Sequence, residues 1–247
     1  VLAGAGRHGR LPYTPLPSEV GNPEAIARGF LNPNRALFGI ASAEYIMGQD
    51  PGLSLALGSV PVNLTNMTQA YGAFANEGVW TRPTLITRVE DQSGEVIYSA
   101  PFDQRRALST GAAYLMNSMM ADVINAGTGY RARQAGFTLP AAGKTGTTNG
   151  NNSVWFAGYT PNLSGAATVA GVNRVGSPES LDGKFIAGRT LYSSSGSTTA
   201  GPIWGDTFKA IAQWLPDEDF ERPSSTDIDG NVERPPDISV IPSRTRC

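Results

Sequence analysis

The feature that most constrains this chain is a change of period after Gly129. Residues 141–148, 153–160 and 165–173 alternate side chains with a period of two, as strands do. Only residues 149–152 and 161–164 connect them. Strands joined that closely must run antiparallel. A three-strand antiparallel run is therefore the frame that everything else has to pack against.

Helical patterns surround it. Residues 36–48 read as a short helix ending near Gly48. A better-marked helix follows, with Thr65 as N-cap and Met67, Ala70, Tyr71 and Phe74 at i, i+3, i+4 and i+7. Gly78 is its natural stop. Residues 85–90 and 95–99 flank Asp91, Gln92, Ser93 and Gly94, a β-hairpin signal. Helix signals return over 109–126, with Leu115, Met116, Met119, Val123 and Ile124 along one stripe, and Gly127 and Gly129 end them. Residues 174–200 read as a long polar loop. Pro202 then starts a closing helix whose Trp204, Phe208, Ile211 and Leu215 share a face. The order predicts an α+β domain, an antiparallel sheet packed with helices. Residues 1–41 carry no clear assignment, and 216–247 read as an acidic, proline-rich tail or linker.

Composition removes several functions. The net charge of −2 lacks the basic footprint of a nucleic-acid binder, so no nucleic-acid partner is expected. No apolar run approaches the ~18 residues of a membrane-spanning helix. Cys247 is the only cysteine and His8 the only histidine. A disulfide within the chain and a cysteine-built zinc site are excluded. Catalysis would need another base, and lysine is the obvious candidate.

Lysine stands in the first strand, where Lys144, Thr145, Gly146, Thr147 and Thr148 follow one another. Alternation puts Lys144, Gly146 and Thr148 on one face and Thr145 and Thr147 on the other. Gly146 removes a side chain where something must approach the backbone. A strand edge with free peptide groups can take an extended peptide as an added strand. Lys144 supplies positive charge and the threonines supply hydroxyl donors, which suits a peptide ending in a carboxylate. A phosphate-binding loop competes for Gly143, Lys144 and Thr145. That motif needs glycine at position 138, where Thr138 stands, and it must open a helix, whereas a strand pattern follows.

The surroundings sharpen the reading. Ala142-Gly143-Lys144-Thr145-Gly146-Thr147-Thr148, followed by Trp155-Phe156-Ala157-Gly158-Tyr159-Thr160-Pro161, resembles the transpeptidase domain of bifunctional (class A) penicillin-binding proteins. So do Leu57-Gly58-Ser59, Ala70 and Tyr71, Phe74-Ala75-Asn76 and Gly78. Gly127-Thr128-Gly129 and Pro202-Ile203-Trp204 fit as well, so the resemblance spans residues 42–215. It implies the serine β-lactamase/penicillin-binding transpeptidase-like fold and a serine D,D-transpeptidase of cell-wall synthesis, with a site made by S-x-x-K, S-x-N and K-T-G. Carried over, Lys144 would shape the proton network and the field around the nucleophile. Thr145 and Thr147 would hold the carboxylate of a D-Ala-D-Ala stem peptide or a β-lactam. The Thr147 N–H would be half of the oxyanion hole. Gly146 would permit close approach, Thr148 would complete the substrate strand, and Trp155 would pack under it. The implied location is the extracytoplasmic face of the bacterial membrane, and the resemblance implies no metal or organic cofactor.

The chain departs from the pattern in one respect. Its three lysines, Lys144, Lys184 and Lys209, have Ala141, Leu181 and Asp206 three positions earlier, so no S-x-x-K exists here. No asparagine has a serine two positions before it either. The good match at the K-T-G strand favours a domain truncated at its N-terminus, inactive alone. The family's glycosyltransferase domain and membrane anchor would then lie upstream. The alternative is a non-catalytic module, a pseudoenzyme that binds peptidoglycan or a partner. A serine β-lactamase or carboxypeptidase of the same fold fits the landmarks less well.

Overall fold

The structure is a computed structural model, and it describes residue 58, residues 60–225 and residue 227. The helix expected over 36–48, and landmark residues Leu57 and Ser59, lie outside these.

Helix α1 (Leu64–Ala75) has its cap two residues earlier than expected. Asn63, not Thr65, is the N-cap: its extended backbone lets its side-chain oxygen accept from the Asn66 N–H at 2.8 Å. Gly78 ends the segment as expected. Its φ of +86° suits glycine, and its N–H donates to Ala73 O at 2.7 Å. Strand β1 (Val79–Thr81) follows. The expected hairpin is present as β2 (Arg88–Glu90) and β3 (Val96–Ser99), closed by the Asp91 carboxylate, which accepts from the Ser93 and Glu95 N–H groups. The chain returns in β4 (Gln104–Arg106), which pairs antiparallel with β1.

Helix α2 (Thr110–Asn125) is capped by Ser109, whose hydroxyl accepts from the Ala112 N–H. Its buried face differs from the expected stripe. Gly111, Ala113, Asn117, Met120 and Ile124 are buried, while Leu115 and Met119 are 46% and 57% exposed. The reason is close packing: small residues bring α2 against α1 and the sheet, and the polar Asn117 goes inside because Tyr159 awaits it. A short helix α3 (Arg131–Gln134) comes next. There Arg133 donates to the Phe137 and Leu139 carbonyls and to Asn125, tying the end of α2 to the entry of the sheet.

The central sheet is antiparallel, as its short connections required. Its order is β5 (Ala142–Thr147), β6 (Ser153–Tyr159) and β7 (Ser164–Ala170). Lys144 pairs with Ala157, Thr145 with Phe156, Gly146 with Trp155 and Thr147 with Val154. Directly opposed residues share a face. One face therefore carries Ala142, Lys144, Gly146, Trp155, Ala157 and Tyr159. The other carries Gly143, Thr145, Thr147, Val154, Phe156 and Gly158.

Each face has its own cover. On the first, α1 sets Tyr71 edge-on to Tyr159 at 6.2 Å between ring centroids, and Ser164 donates to Thr68 O. On the second lies helix α4 (Gly201–Ile211), whose Trp204 and Phe208 rings stack at 3.9 Å. Glycines let α4 come this close to the sheet and to α3. A Cβ on Gly158 would meet Trp204 at 2.9 Å, one on Gly165 would meet Phe208 at 2.8 Å, and one on Gly205 would meet Ala132 O at 2.2 Å. Burying the two aromatics is worth about 1.5–3 kcal/mol each.

Two expectations need correction. The segment 174–200 is not simply a polar loop. It contains a small hairpin, β8 (Phe185–Ile186) with β9 (Arg189–Thr190), and a π-helical turn (Gly196–Ala200) that leads into α4. Asp182 organises it by accepting from the Ser194 N–H and the Asn151 side chain. The expected tail also begins on the domain: Phe220 packs edge-on to Tyr159 at 5.6 Å, because Tyr159 offers an apolar ring there.

Candidate functional site

Strand β5 ends the described sheet, so one of its edges has no strand beside it. Register decides which peptide groups face that edge. The Thr148 N–H donates to Ser153 O across the ladder. In an antiparallel pair the inward-bonding residues alternate. Gly146 and Lys144 therefore point their peptide groups into the sheet, and Thr145 and Thr147 point theirs outward. The outward pair stand about 6.8 Å apart along the strand. This puts peptide donors and acceptors on the same stretch that carries the lysine and the hydroxyls.

The side chains divide between the faces as alternation required. Lys144 is exposed, and its Nζ donates to Thr145 O at 3.0 Å and reaches Thr145 Oγ1 at 3.5 Å. Among the described residues no ion pair involves it, so its charge is unspent. The Thr145 hydroxyl lies 2.9 Å from that of Thr128. Thr147 Oγ1 accepts from the Gly196 N–H at 3.0 Å, which leaves its own proton to donate. The Thr148 hydroxyl is committed to the β5–β6 turn: it donates to Ser153 O and accepts from the Ser153 N–H.

Gly146 is held from two sides. A Cβ on it would lie 3.3 Å from Trp155 Cβ, and Gly196 backs its peptide from the π-turn. Trp155 is not deep core. It is half-buried beside Gly146, on the face of Lys144, with its indole N–H donating to Ser153 Oγ at 2.9 Å. Surface hollows of about 510 and 470 Å³ lie elsewhere, the first between α1 and the β6–β7 turn, the second under residues 216–221. Neither is lined by residues of the Lys144–Thr148 run.

Sequence reasoning missed Gly196 and gave Thr128 no role. A signal for the first existed. Ser195 and Thr198 form a capping box, each side chain bonding the other's N–H, and that pattern announces a helix start inside the presumed loop. The contact of Gly196 with a strand fifty residues earlier leaves no local trace.

An antiparallel sheet between helices, with a Lys-Thr-Gly strand on its free edge, defines a transpeptidase-type domain. Residues 37–193 match the penicillin-binding protein transpeptidase domain model, and the chain belongs to that family. It is 32% identical over 199 residues to penicillin-binding protein 1A of Clostridium botulinum, covering 80% of this chain and 22% of that protein. It thus spans about a fifth of the length of the curated relatives it matches. Among solved structures it is similar to the penicillin-binding protein PonA1 of Mycobacterium tuberculosis, with a TM-score of 0.62 and 26% identity over 87% of this chain and 58% of that one. The same fold is matched in PonA1 in complex with penicillin V, with a TM-score of 0.62 and 24% identity over 84% and 54% of the two chains.

Proposed function

We propose that this chain forms the Lys-Thr-Gly wall of a serine D,D-transpeptidase site. The observation that carries the reading is the free edge of β5, where the outward peptide groups of Thr145 and Thr147 flank Gly146, next to a Lys144 that makes no ion pair among the described residues. A stem peptide ending in D-Ala-D-Ala would lie along that edge as an added strand. The Thr145 hydroxyl, with that of Thr147, would donate to its terminal carboxylate. The Thr147 N–H would face the oxygen that becomes negative when a serine attacks the scissile carbonyl. Lys144 would stabilise that charge and the proton transfers around the serine. Thr148 keeps the turn closed and so fixes Thr147. The serine would release D-alanine, then pass the acyl group to a neighbouring peptide's amine. A β-lactam would acylate the same serine, and the site would work on the outer side of the bacterial membrane.

The S-x-x-K serine would come from a part of the protein outside this sequence, and the 247 residues alone would be inactive. The test is labelling with a fluorescent penicillin. The full-length protein should be labelled covalently on a serine followed three residues later by lysine, and the 247-residue chain should not. Absence of label on the full-length protein would favour the second reading, a non-catalytic module that binds cell-wall peptide through the same edge. The missing motif is the observation on that side.

A further inference from the structure

We propose that Thr128 is a positioning residue for the Lys-Thr-Gly strand, orienting the Thr145 hydroxyl as a donor to an anionic ligand. The inference rests on the proposed reading that this strand binds a peptide or β-lactam carboxylate.

The first observation is how the Thr128 backbone is held. Its two neighbours are glycines pinned to the end of α2. The Gly127 N–H donates to Asp122 O at 2.9 Å, and the Gly129 N–H donates to Val123 O at 2.8 Å. Neither has room for a side chain. A Cβ on Gly127 would meet Val123 Cα at 2.8 Å, and one on Gly129 would meet Val123 O at 3.0 Å and the Phe156 ring at 3.2 Å. Phe156 is the ladder partner of Thr145. Gly129 thus docks on the residue beside Thr145, and this fixes where Thr128 stands. Thr128 itself is exposed, so its hydroxyl is not there to fill a core.

The second observation is proton bookkeeping. The two hydroxyl oxygens are 2.9 Å apart, and Lys144 Nζ approaches Thr145 Oγ1 at 3.5 Å. A hydroxyl has one proton and two acceptor sites. The lysine can only donate. If Thr128 also donates, both acceptor sites of Thr145 are occupied and its single proton is left to point outward. Hydrogen bonds aligned in this way reinforce one another. An anion at the strand edge selects that arrangement, because it needs the Thr145 proton. Without Thr128, the Thr145 proton is free to turn elsewhere.

The test uses penicillin acylation kinetics of the full-length protein. Thr128→Val keeps the shape and removes the hydroxyl, and it should lower the second-order acylation rate about tenfold. Thr128→Ser should restore it to within about threefold of wild type. Both Thr128 variants should melt at the wild-type temperature, since the position is exposed. In a Thr145→Val background, Thr128→Val should add nothing, because its effect runs through Thr145. Wild-type kinetics for Thr128→Val would overturn the inference. So would failure of serine to rescue, an undiminished loss in the Thr145→Val background, or a lowered melting temperature in place of slowed acylation. A wild-type protein that no penicillin acylates would overturn the transpeptidase reading itself, which is a distinct result.

Discussion

Gly196 lies against the Gly146 peptide so closely that a Cβ on Gly196 would fall 2.7 Å from both Gly146 N and O, and 2.4 Å from Trp155 O. No side-chain rotation relieves contacts with backbone atoms, so the strand itself must move. Gly196→Ala should destabilise the domain by about 1–3 kcal/mol, as overpacked sites do. It should also slow acylation of the full-length protein, because β5 shifts. Urea unfolding and penicillin kinetics read the two effects. An alanine variant with unchanged stability would show that the π-turn gives way instead.

The buried Tyr159–Asn117 pair makes a second prediction. Tyr159 donates to Asn117 Oδ1 at 2.6 Å, and Asn117 donates onward to Phe74 O. Tyr159→Phe strands an acceptor inside the protein and should cost about 1–3 kcal/mol. Burial, then the neighbouring Tyr71, push the Tyr159 phenol above its ordinary range. The native state therefore keeps this proton where the unfolded chain has lost it, and stability falls as pH rises beyond about 10. The phenylalanine variant lacks that group, so its difference from wild type should shrink in alkali. Chemical denaturation at pH 8 and above pH 10 checks the sign.

Glu77 should act at the acid end. Burial, then the Glu221 carboxylate, hold its carboxyl above the usual range, while Arg106 pulls it down. The native state binds this proton more tightly than the unfolded chain does. Its contribution is present at low pH and declines as pH rises through the raised value. Glu77→Gln imitates the protonated form. It should match wild type near pH 4 and be slightly more stable near pH 7, by less than about 1 kcal/mol after solvent screening. Melting temperatures across that range give the difference. A constant gap would remove the titration from the account.

Asp182 titrates in the opposite sense. The Ser194 N–H, then the Asn151 side chain, hold its carboxyl below the ordinary value. What it contributes is present above the unfolded carboxyl's value, and it is lost as pH falls through the lowered one. Asp182→Ala should loosen residues 183–195 without unfolding the sheet. Hydrogen exchange at the Ser194 amide should be faster in the variant at neutral pH. The two proteins should converge in acid.

The sheet is legible in the sequence because its pattern is local. Period-two runs with short connections dictate an antiparallel order; β5 and β6 begin and end within one residue of the expected runs, while β7 starts one residue early and stops three residues short. The Lys144 run could be read directly. What escaped depends on distant partners. Strands β1 and β4 are three residues each, too short to show a period, and they exist because they find each other across 23 residues. The buried face of α2 is hidden from the sequence because residue size is a poor guide to burial there. Ala113 and Asn117 are inside through close approach and a hydrogen bond, while Leu115 is left outside. Thr65 lost the cap to Asn63 because both are good caps, and only the backbone angles choose between them.

The glycine contacts under α4 carry a further consequence. Where a helix sits at backbone distance from its neighbours, permissible sequence change is distributed by space and not by residue size. Gly158, Gly165 and Gly205 offer none for even a methyl group. Large exposed residues such as Trp214 and Tyr192 touch little and can vary freely. A saturation scan of this domain would find its most intolerant positions among its smallest residues. An evolutionary route to a different β5 edge would have to leave those three untouched.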